Sequence, residues 1–326
     1  MSHNRKKENP SVVCIGGGTG LSTMLRGLKN VFSDVTAIVT MADDGGGSGV
    51  LRRELDMPPP GDLRNCIIAL SDTEDLLRDV MNYRFHDGSL RGQSLGNLFL
   101  AALTDLNGGI DAAAEKMCRI LHSRGRVLPV TGEKVTIVAE LEDGSSVAGE
   151  SHIFAAKKER NCRIKNVRME PPDAPALPKC VGAIERADLL ILGPGSLYTS
   201  IIPNLLTEGI PDAIRRSRAM KLYICNVMTQ DGETENYTVS DHVRALFDHA
   251  GGPIFDKCLA NTLPAPEALL KKYAAEDAGQ LFADEEELEK LGVAVYTAPL
   301  ASAETGYYRH DPEALAREIL RIYREE

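Results

Sequence analysis

Several things are missing from this 326-residue chain. No apolar run approaches the roughly 18–20 residues that a helix needs to cross a bilayer. The opening MSHNRKKENP is polar and basic and has no apolar segment of the kind a secretory signal requires. These two absences predict a cytoplasmic protein, with residues 1–10 as a flexible basic tail. No C-x-x-C pair occurs, and the seven cysteines fall at 14, 66, 118, 162, 180, 225 and 258. An odd count without paired spacing points to reduced thiols and away from disulfides or zinc. Cys14, Cys225 and Cys258 lie in strand-like runs, where a thiol acts as a small hydrophobe. No histidine has metal-ligand spacing to another. An excess of basic charge is missing too: the net charge of −10 argues against a nucleic-acid footprint. An anion bound by such a chain must be held locally, by backbone N–H groups and a few placed arginines.

What is present is ordinary for a globular domain, 43% hydrophobic and 26% charged. Short β-prone runs alternate with helical patterns: SVVCI (11–15), VTAIVTM (35–41), ADLLILG (187–193), KLYICNVM (221–228), KCLAN (257–261) and VAVYTAP (293–299). Near-continuous apolar strands are what a sheet covered on both faces requires. The pattern therefore predicts an α/β fold, a Rossmann-like, doubly wound and mostly parallel sheet. Leu21, Leu25 and Leu28 keep one helical face after the first strand. DPEALAREILRIY (311–323) reads as a closing helix with Asp311 as cap and Pro312 at its first position. Residues of about 62–122 read as consecutive helices, and those of about 130–170 as β-hairpins. With no Gly/Ser linker and no solenoid repeat, residues 11–326 are expected to form one domain carrying that helical excursion and that β insertion.

The glycines carry the chemistry. VVCIGGGTGLSTMLRGL (12–28) runs a buried strand into Gly16, Gly17, Gly18, Thr19 and Gly20, and then into a helix. The dinucleotide fingerprint fails because Leu21 holds its last position, and no Gly-Lys-Ser/Thr completes a Walker loop. A phosphate cradle at a helix N-terminus remains, set against a tight turn with no ligand. Asp43 and Asp44, in TMADDGGGSG (40–49), stand where a ribose-binding carboxylate belongs. They suit a divalent cation such as Mg²⁺ equally, or a plain acidic cap. Asp62, in PPPGDLRN, reads as a helix N-cap, while Gly96 and Asn97 within an apolar helix signal close packing or a ligand-facing amide. LLILGPGSLYTS repeats the strand-to-glycine arrangement at Gly193, Gly195 and Ser196. Parallel strands end on one edge, so this second loop is expected beside the first, with Asn226, Thr229 and Gln230 facing the same edge. Ser196 and Thr199 read as hydrogen-bond donors, since no histidine is placed as their base. His242 reads as a residue of a helix surface. Arg309, just before the last helix, is either a phosphate clamp or half of a surface ion pair.

CIGGGTGLS, TMADDGGGSG, PGDLRN, SLGNL, VLPVT, LGPGSLYTS, NVMTQDGET and RHDP, in this order, resemble the CofD-like superfamily in its bacterial YvcK branch. The resemblance runs from about residue 12 to about 312. It implies a cytoplasmic protein that binds UDP-sugars such as UDP-N-acetylglucosamine and serves growth on gluconeogenic carbon, cell shape and wall synthesis. By position, Gly17, Gly18, Thr19 and Gly20 would line the phosphates, and Asp43 and Asp44 match the family's acidic pair. Gly193, Gly195, Ser196 and Leu197 match the second loop. Tyr273 and Arg309 match positions that touch the nucleotide sugar. The resemblance fixes neither a protein partner nor a homodimer. The enzymatic branch transfers a 2-phospholactyl group from a guanosine diphosphate donor to a deazaflavin with a divalent metal. Its acidic pair is followed by a P-D-L-D-T-like segment, where this chain has PPPGDLRN.

Overall fold

A computed structural model describes residues 7–160, 162–304 and 306–326. The chain enters with β1 (Ser11–Gly16), passes through α1 (Gly18–Leu28) to β2 (Asp34–Val39), and then leaves the sheet. α2 (Gly46–Glu54), α3 (Gly61–Leu70), α4 (Asp75–Asn82), α5 (Leu95–Asn107) and α6 (Ile110–Ile120) form the helical excursion, which returns as β3 (Arg126–Pro129). β4 (Thr136–Leu141), β5 (Ser146–Ala148), α7 (Glu150–Arg160) and β6 (Ile164–Glu170) build a small unit with its own antiparallel sheet, ordered β5-β4-β6. β7 (Leu189–Leu192), β8 (Met220–Ile224), β9 (Lys257–Asn261) and β10 (Ala294–Ala298) then complete the main sheet.

That sheet has seven strands in the order β10-β9-β8-β7-β1-β2-β3, all parallel. It is the Rossmann-like α/β arrangement that the buried strands require. Val12, Val13, Cys14 and Ile15 of β1 are at most 1% exposed, because helices cover both faces. β1 pairs with β2 on one side and β7 on the other, Val13 lying opposite Thr36 and Leu190. The chain leaves β1 toward β2 and β7 toward β8, in opposite directions, which makes the β1–β7 pair a topological switch point. The last helix, Pro312–Glu325, is capped by Asp311, whose side chain accepts from Ala314 N–H at 2.6 Å. A short antiparallel pair, β11 (Ala301–Ser302) with β12 (Arg309–His310), leads into it.

The structure departs from the sequence reading in several places. The insertion is not hairpins alone: residues 152–154 lie in α7, because Gly149 turns the chain at φ +92° and Asp44 accepts from Ser151 N–H. β3 is only four residues long and ends in a proline, too short for a periodic signal. Asp62 is not an N-cap, since α3 begins at Gly61 with Pro60 at the cap. His242 lies fully buried rather than on a helix surface, its Nδ1 2.8 Å from the Thr238 carbonyl. Gly96 answers to packing: a Cβ there would stand 2.6 Å from the Met81 carbonyl oxygen and 2.7 Å from Cδ of the buried Arg64. All seven cysteines are free thiols. Of the basic tail, residues 1–6 lie outside the described residues, and Lys7 pairs with Asp188 at 2.9 Å.

Candidate functional site

The two glycine loops meet at the switch point. A Cβ on Gly20 would stand 2.7 Å from the Pro194 carbonyl oxygen, so the loops touch backbone to backbone. Gly17 is held as closely: a Cβ there would stand 2.7 Å from both Asp62 Oδ2 and Thr40 Cγ2. Gly18 differs: it has φ +65° and only the Ser200 hydroxyl within reach, at 3.4 Å. Two of these glycines thus serve chain-on-chain packing, and the third serves an unusual backbone conformation in front of open space.

A cleft of about 450 Å³ opens over this contact. It brings together Gly18, Thr19 and Gly20 from the first loop with Gly195 and Ser196 from the second. Asn226, Thr229, Tyr273 and Arg309 line it as well. Among the described residues no aspartate or glutamate lines it, although the chain carries a net charge of −10. Helix geometry leaves the first N–H groups of α1 without intrahelical partners, and those of Thr19 and Gly20 belong to residues of the cleft wall. Arg309 adds a full positive charge; its guanidinium lies 4.7 Å from the Tyr307 ring centroid, with Lys272 Nζ 4.5 Å from the same ring. Tyr273 supports this wall by accepting from Tyr308 N–H at 3.1 Å.

The remaining sequence candidates stand apart from the cleft. Gly17 and Gly193 lie beneath it. Leu197 is buried, and its N–H is already taken. Glu233 accepts from Leu197 N–H at 3.1 Å, Tyr198 N–H at 2.9 Å and Thr199 N–H at 3.1 Å. A carboxylate of the chain thus fills the anion position that the second loop offers at the start of its helical turn. The first loop repeats the device, with Gly18 N–H donating to Asp62 Oδ2 at 2.7 Å. Asn226 is committed as well: its amide accepts from Gly195 N–H at 3.1 Å and donates to the Gly195 carbonyl at 2.8 Å. Ser196 Oγ donates to Gln230 at 2.7 Å, and Thr229 Oγ1 accepts from Gly279 N–H at 2.7 Å. The segment 226–233 is a clasp on the second loop.

Asp43 and Asp44 also lie outside the cleft lining. Asp43 Oδ1 accepts from Gly45 N–H at 2.8 Å, and Asp44 Oδ1 from Ser151 N–H at 2.8 Å. Asp44 therefore binds the first turn of α7. Asp43 belongs to an acidic group behind the first loop. Burial raises its pKa, and burial together with the Asp43 charge pushes Asp62 up to about 7. Burial, then Asp43 and Asp62, push Glu150 up to about 9. Among the described residues no group of three or more His, Cys, Asp or Glu has the arrangement of a metal site. Mg²⁺ needs only one or two carboxylates when a ligand's phosphates complete its shell, and the mutual repulsion of Asp43 and Asp62 is what a cation would relieve.

The family model of the 2-phospho-L-lactate transferase CofD matches residues 12–301, a span that holds both glycine loops and the cleft's floor. The chain belongs to the CofD family. Within it, a protein of Bacillus subtilis named gluconeogenesis factor is 46% identical over 98% of this chain and 99% of its own. A gluconeogenesis factor of Halalkalibacterium halodurans is 46% identical over 97% of this chain and 96% of its own. A crystal structure of a Bacillus halodurans protein has a TM-score of 0.93 at 46% identity, covering 96% of this chain and 100% of that one. No helix among the described residues is long and apolar enough to cross a membrane.

In this CofD-family chain, the residues that sequence reasoning missed are Glu233 and Glu150, together with the true role of Asp62. Each acts across long separations, 34–36 residues for Glu233 and 44 for Asp62, so no local spacing could reveal them.

Proposed function

We propose that the chain is a cytoplasmic regulatory protein that binds a nucleotide-diphosphate sugar of the UDP-sugar class and couples gluconeogenic carbon supply to cell shape and wall synthesis. The observation that carries this reading is the cleft over the loop contact: it has the first N–H groups of α1 at its base, Arg309 on its wall and, among the described residues, no carboxylate in its lining. A diphosphate lies over the Thr19 and Gly20 N–H groups, and Arg309 neutralises its outer charge. Tyr273 and the Tyr307 ring flank the position of the base or sugar. Membership of the CofD family supports a nucleotide ligand, and the relatives' name supports the metabolic role. Among the described residues no lining hydroxyl is hydrogen-bonded to a histidine as a nucleophile–base pair would be, which favours binding over transfer.

Calorimetric titration with UDP-N-acetylglucosamine tests the reading. Saturable binding is expected, weakened at least tenfold in Arg309→Gln by loss of a charge-assisted contact of roughly 1.5–3 kcal/mol. No saturation up to millimolar ligand refutes it. A second reading, a Mg²⁺-dependent transferase with a nucleotide-diphosphate donor, is favoured by the acidic group of Asp43, Asp62 and Glu150. When bound, the cation would shield donor phosphate charge, held by Asp43 with Asp62. That reading predicts product from such a donor and its loss in Asp43→Asn; activity that persists in the variant removes it.

A further inference from the structure

The second glycine loop spends most of its donors on the chain itself. The N–H groups of Gly195, Leu197, Tyr198 and Thr199 go to Asn226 and Glu233. That of Ser200 goes to the Ser196 carbonyl at 2.9 Å, and Ser196 Oγ goes to Gln230. The Ser200 hydroxyl is left over. Ser200 lines the cleft and is 5% exposed, yet its Oγ has no hydrogen-bond partner among the described residues. Unlike the neighbouring Thr199 Oγ1, which is sealed in the interior, it keeps an accessible face. Two features hold it there. Ile201 N–H reaches the Ser196 carbonyl, five residues back, at 3.0 Å, which widens Leu197–Ile201 into a π-turn, a form frequent at functional sites. Asn204, fully buried, donates from Nδ2 to the Ser200 carbonyl at 2.8 Å and to the Gly16 carbonyl at 3.1 Å. One side chain thus ties the backbone of Ser200 to the end of β1, where the first loop begins.

What the hydroxyl faces decides what it can take. A Cβ on Gly18 would stand 3.4 Å from Ser200 Oγ, and no other atom beyond the glycine's chain neighbours and its own helix backbone would lie within 4 Å of it. Cβ atoms on Gly17 and Gly195 would each stand 3.4 Å from Ser200 Cβ, so the residue sits where the two loops meet. The open space in front of Gly18 lies at the start of α1, whose first N–H groups carry the positive end of the helix dipole. Thr23, a second buried hydroxyl of the cleft without a partner among the described residues, is 9% exposed and stands in the second turn of α1, past those groups. An anion is drawn to the helix start, and an ionised phosphoryl oxygen only accepts, so the hydroxyl beside it must donate. We propose that Ser200 is a phosphate-binding residue: its hydroxyl donates to a phosphoryl oxygen of the ligand's diphosphate, held in front of Gly18 between the two loops. This rests on the diphosphate part of the nucleotide-sugar reading. It gives the second loop, whose backbone Glu233 has claimed, a contact of its own with the ligand.

Calorimetric titration of the full chain and of Ser200→Ala with UDP-N-acetylglucosamine and with inorganic pyrophosphate tests it. Both probes should bind the variant about tenfold more weakly or worse, the equivalent of one hydrogen bond to a charged group. The thermal midpoint without ligand should stay in place, because Oγ bonds nothing in the chain. Ser200→Cys keeps the volume and offers only a weak donor, so it should lose affinity in the same way and serves where Ser200→Ala disturbs the fold. A third measurement uses UDP-N-acetylglucosamine with sulfur in place of one non-bridging phosphate oxygen. One such isomer should bind the wild type several-fold less tightly than the parent, and that penalty should shrink in Ser200→Ala. Variants that bind pyrophosphate as tightly as the wild type, or a sulfur penalty unaltered in folded Ser200→Ala, overturn the inference while leaving nucleotide binding intact. A loss confined to the nucleotide sugar also overturns it, since the hydroxyl then meets the sugar or the base. Weakened pyrophosphate binding in a chain that never binds UDP-N-acetylglucosamine supports the inference and overturns the nucleotide reading. Failure of both probes to bind the wild type overturns the two together.

Discussion

Replacing Glu233 by glutamine isolates the charge around which the second glycine loop is folded. Glu233 is 1% exposed and accepts from three successive backbone N–H groups, with Oε1 serving Tyr198 and Thr199 and Oε2 serving Leu197. Burial pushes its pKa from 4.5 up to about 7, against the downward pull of those three donors. The folded protein therefore holds this proton between about pH 4.5 and 7 while the unfolded chain has released it. By linkage, stability falls as pH rises through that window and is flat in this contribution above it. At about 1.4 kcal/mol per pH unit, the loss is at most about 3.5 kcal/mol. Glutamine keeps the Oε1 acceptor and turns an N–H₂ group toward Leu197 N–H, which removes one hydrogen bond and opposes two donors, costing roughly 1–3 kcal/mol. Near pH 5, where wild-type Glu233 is protonated, Glu233→Gln should be the less stable protein by about that amount. By pH 8 the gap should close or reverse, since only the wild type has ionised a buried acid. Urea unfolding of both proteins at half-unit pH steps measures it. A gap that stays constant from pH 5 to 8 would falsify the assignment of this proton to Glu233.

Gly20→Ala should lower stability by roughly 1–3 kcal/mol, since its Cβ meets the Pro194 carbonyl oxygen at 2.7 Å and one loop must move; an unchanged thermal midpoint would show that the loops are not in contact. Asp44→Ala should loosen the first turn of α7 at a cost of about 1 kcal/mol, seen as faster amide exchange confined to residues 150–160. Ligand binding lost with α7 undisturbed would instead return Asp44 to the ribose or metal role. Binding of a UDP-sugar at pH 7.5 should take up protons, because a dianion in front of Asp62 and Glu233, both poised near 7, raises their pKa values further. Calorimetric heats in buffers of different ionisation enthalpy read this directly, and proton release in the presence of Mg²⁺ would point to the cation-assisted reading.

The main sheet was legible in the sequence because fully buried parallel strands must be apolar along their whole length, as VVCI and LLIL are. The meeting of the two glycine loops followed from topology alone: β1 and its parallel neighbour β7 end on one edge. What stayed hidden was which N–H groups the chain keeps for itself. Leu197 enters the candidate set only through the resemblance in the second loop, and its N–H is taken by Glu233, which comes from beyond the next strand. Gly18→Val, on the sequence alone, is expected to harm ligand binding far more than stability. A φ of +65° adds a conformational penalty of about 1–2 kcal/mol for any L-residue, so stability must suffer as well. Asp43 and Asp44 are adjacent in sequence and diverge in space, one toward the acidic group and one toward α7.

On the nucleotide-binding reading proposed above, these internal carboxylates let an acidic protein offer an anion site at its glycine loops. A glycine loop at a helix start exposes more N–H groups than one ligand can use, and those pointing inward would be buried without partners. Asp62 takes one from the first loop and Glu233 takes three from the second, so each carboxylate ties its own loop to a neighbouring segment. On the same reading, the outward N–H groups and Arg309 are the ones left for a ligand. The negative charge placed behind the loops opposes an incoming phosphate, and both acids sit near pKa 7, where a proton can cancel that opposition at small cost. Rigid loops and a titratable backing layer are thus one arrangement. The same side chains that hold the cradle in shape also set how strongly it repels or accepts an anion at cellular pH.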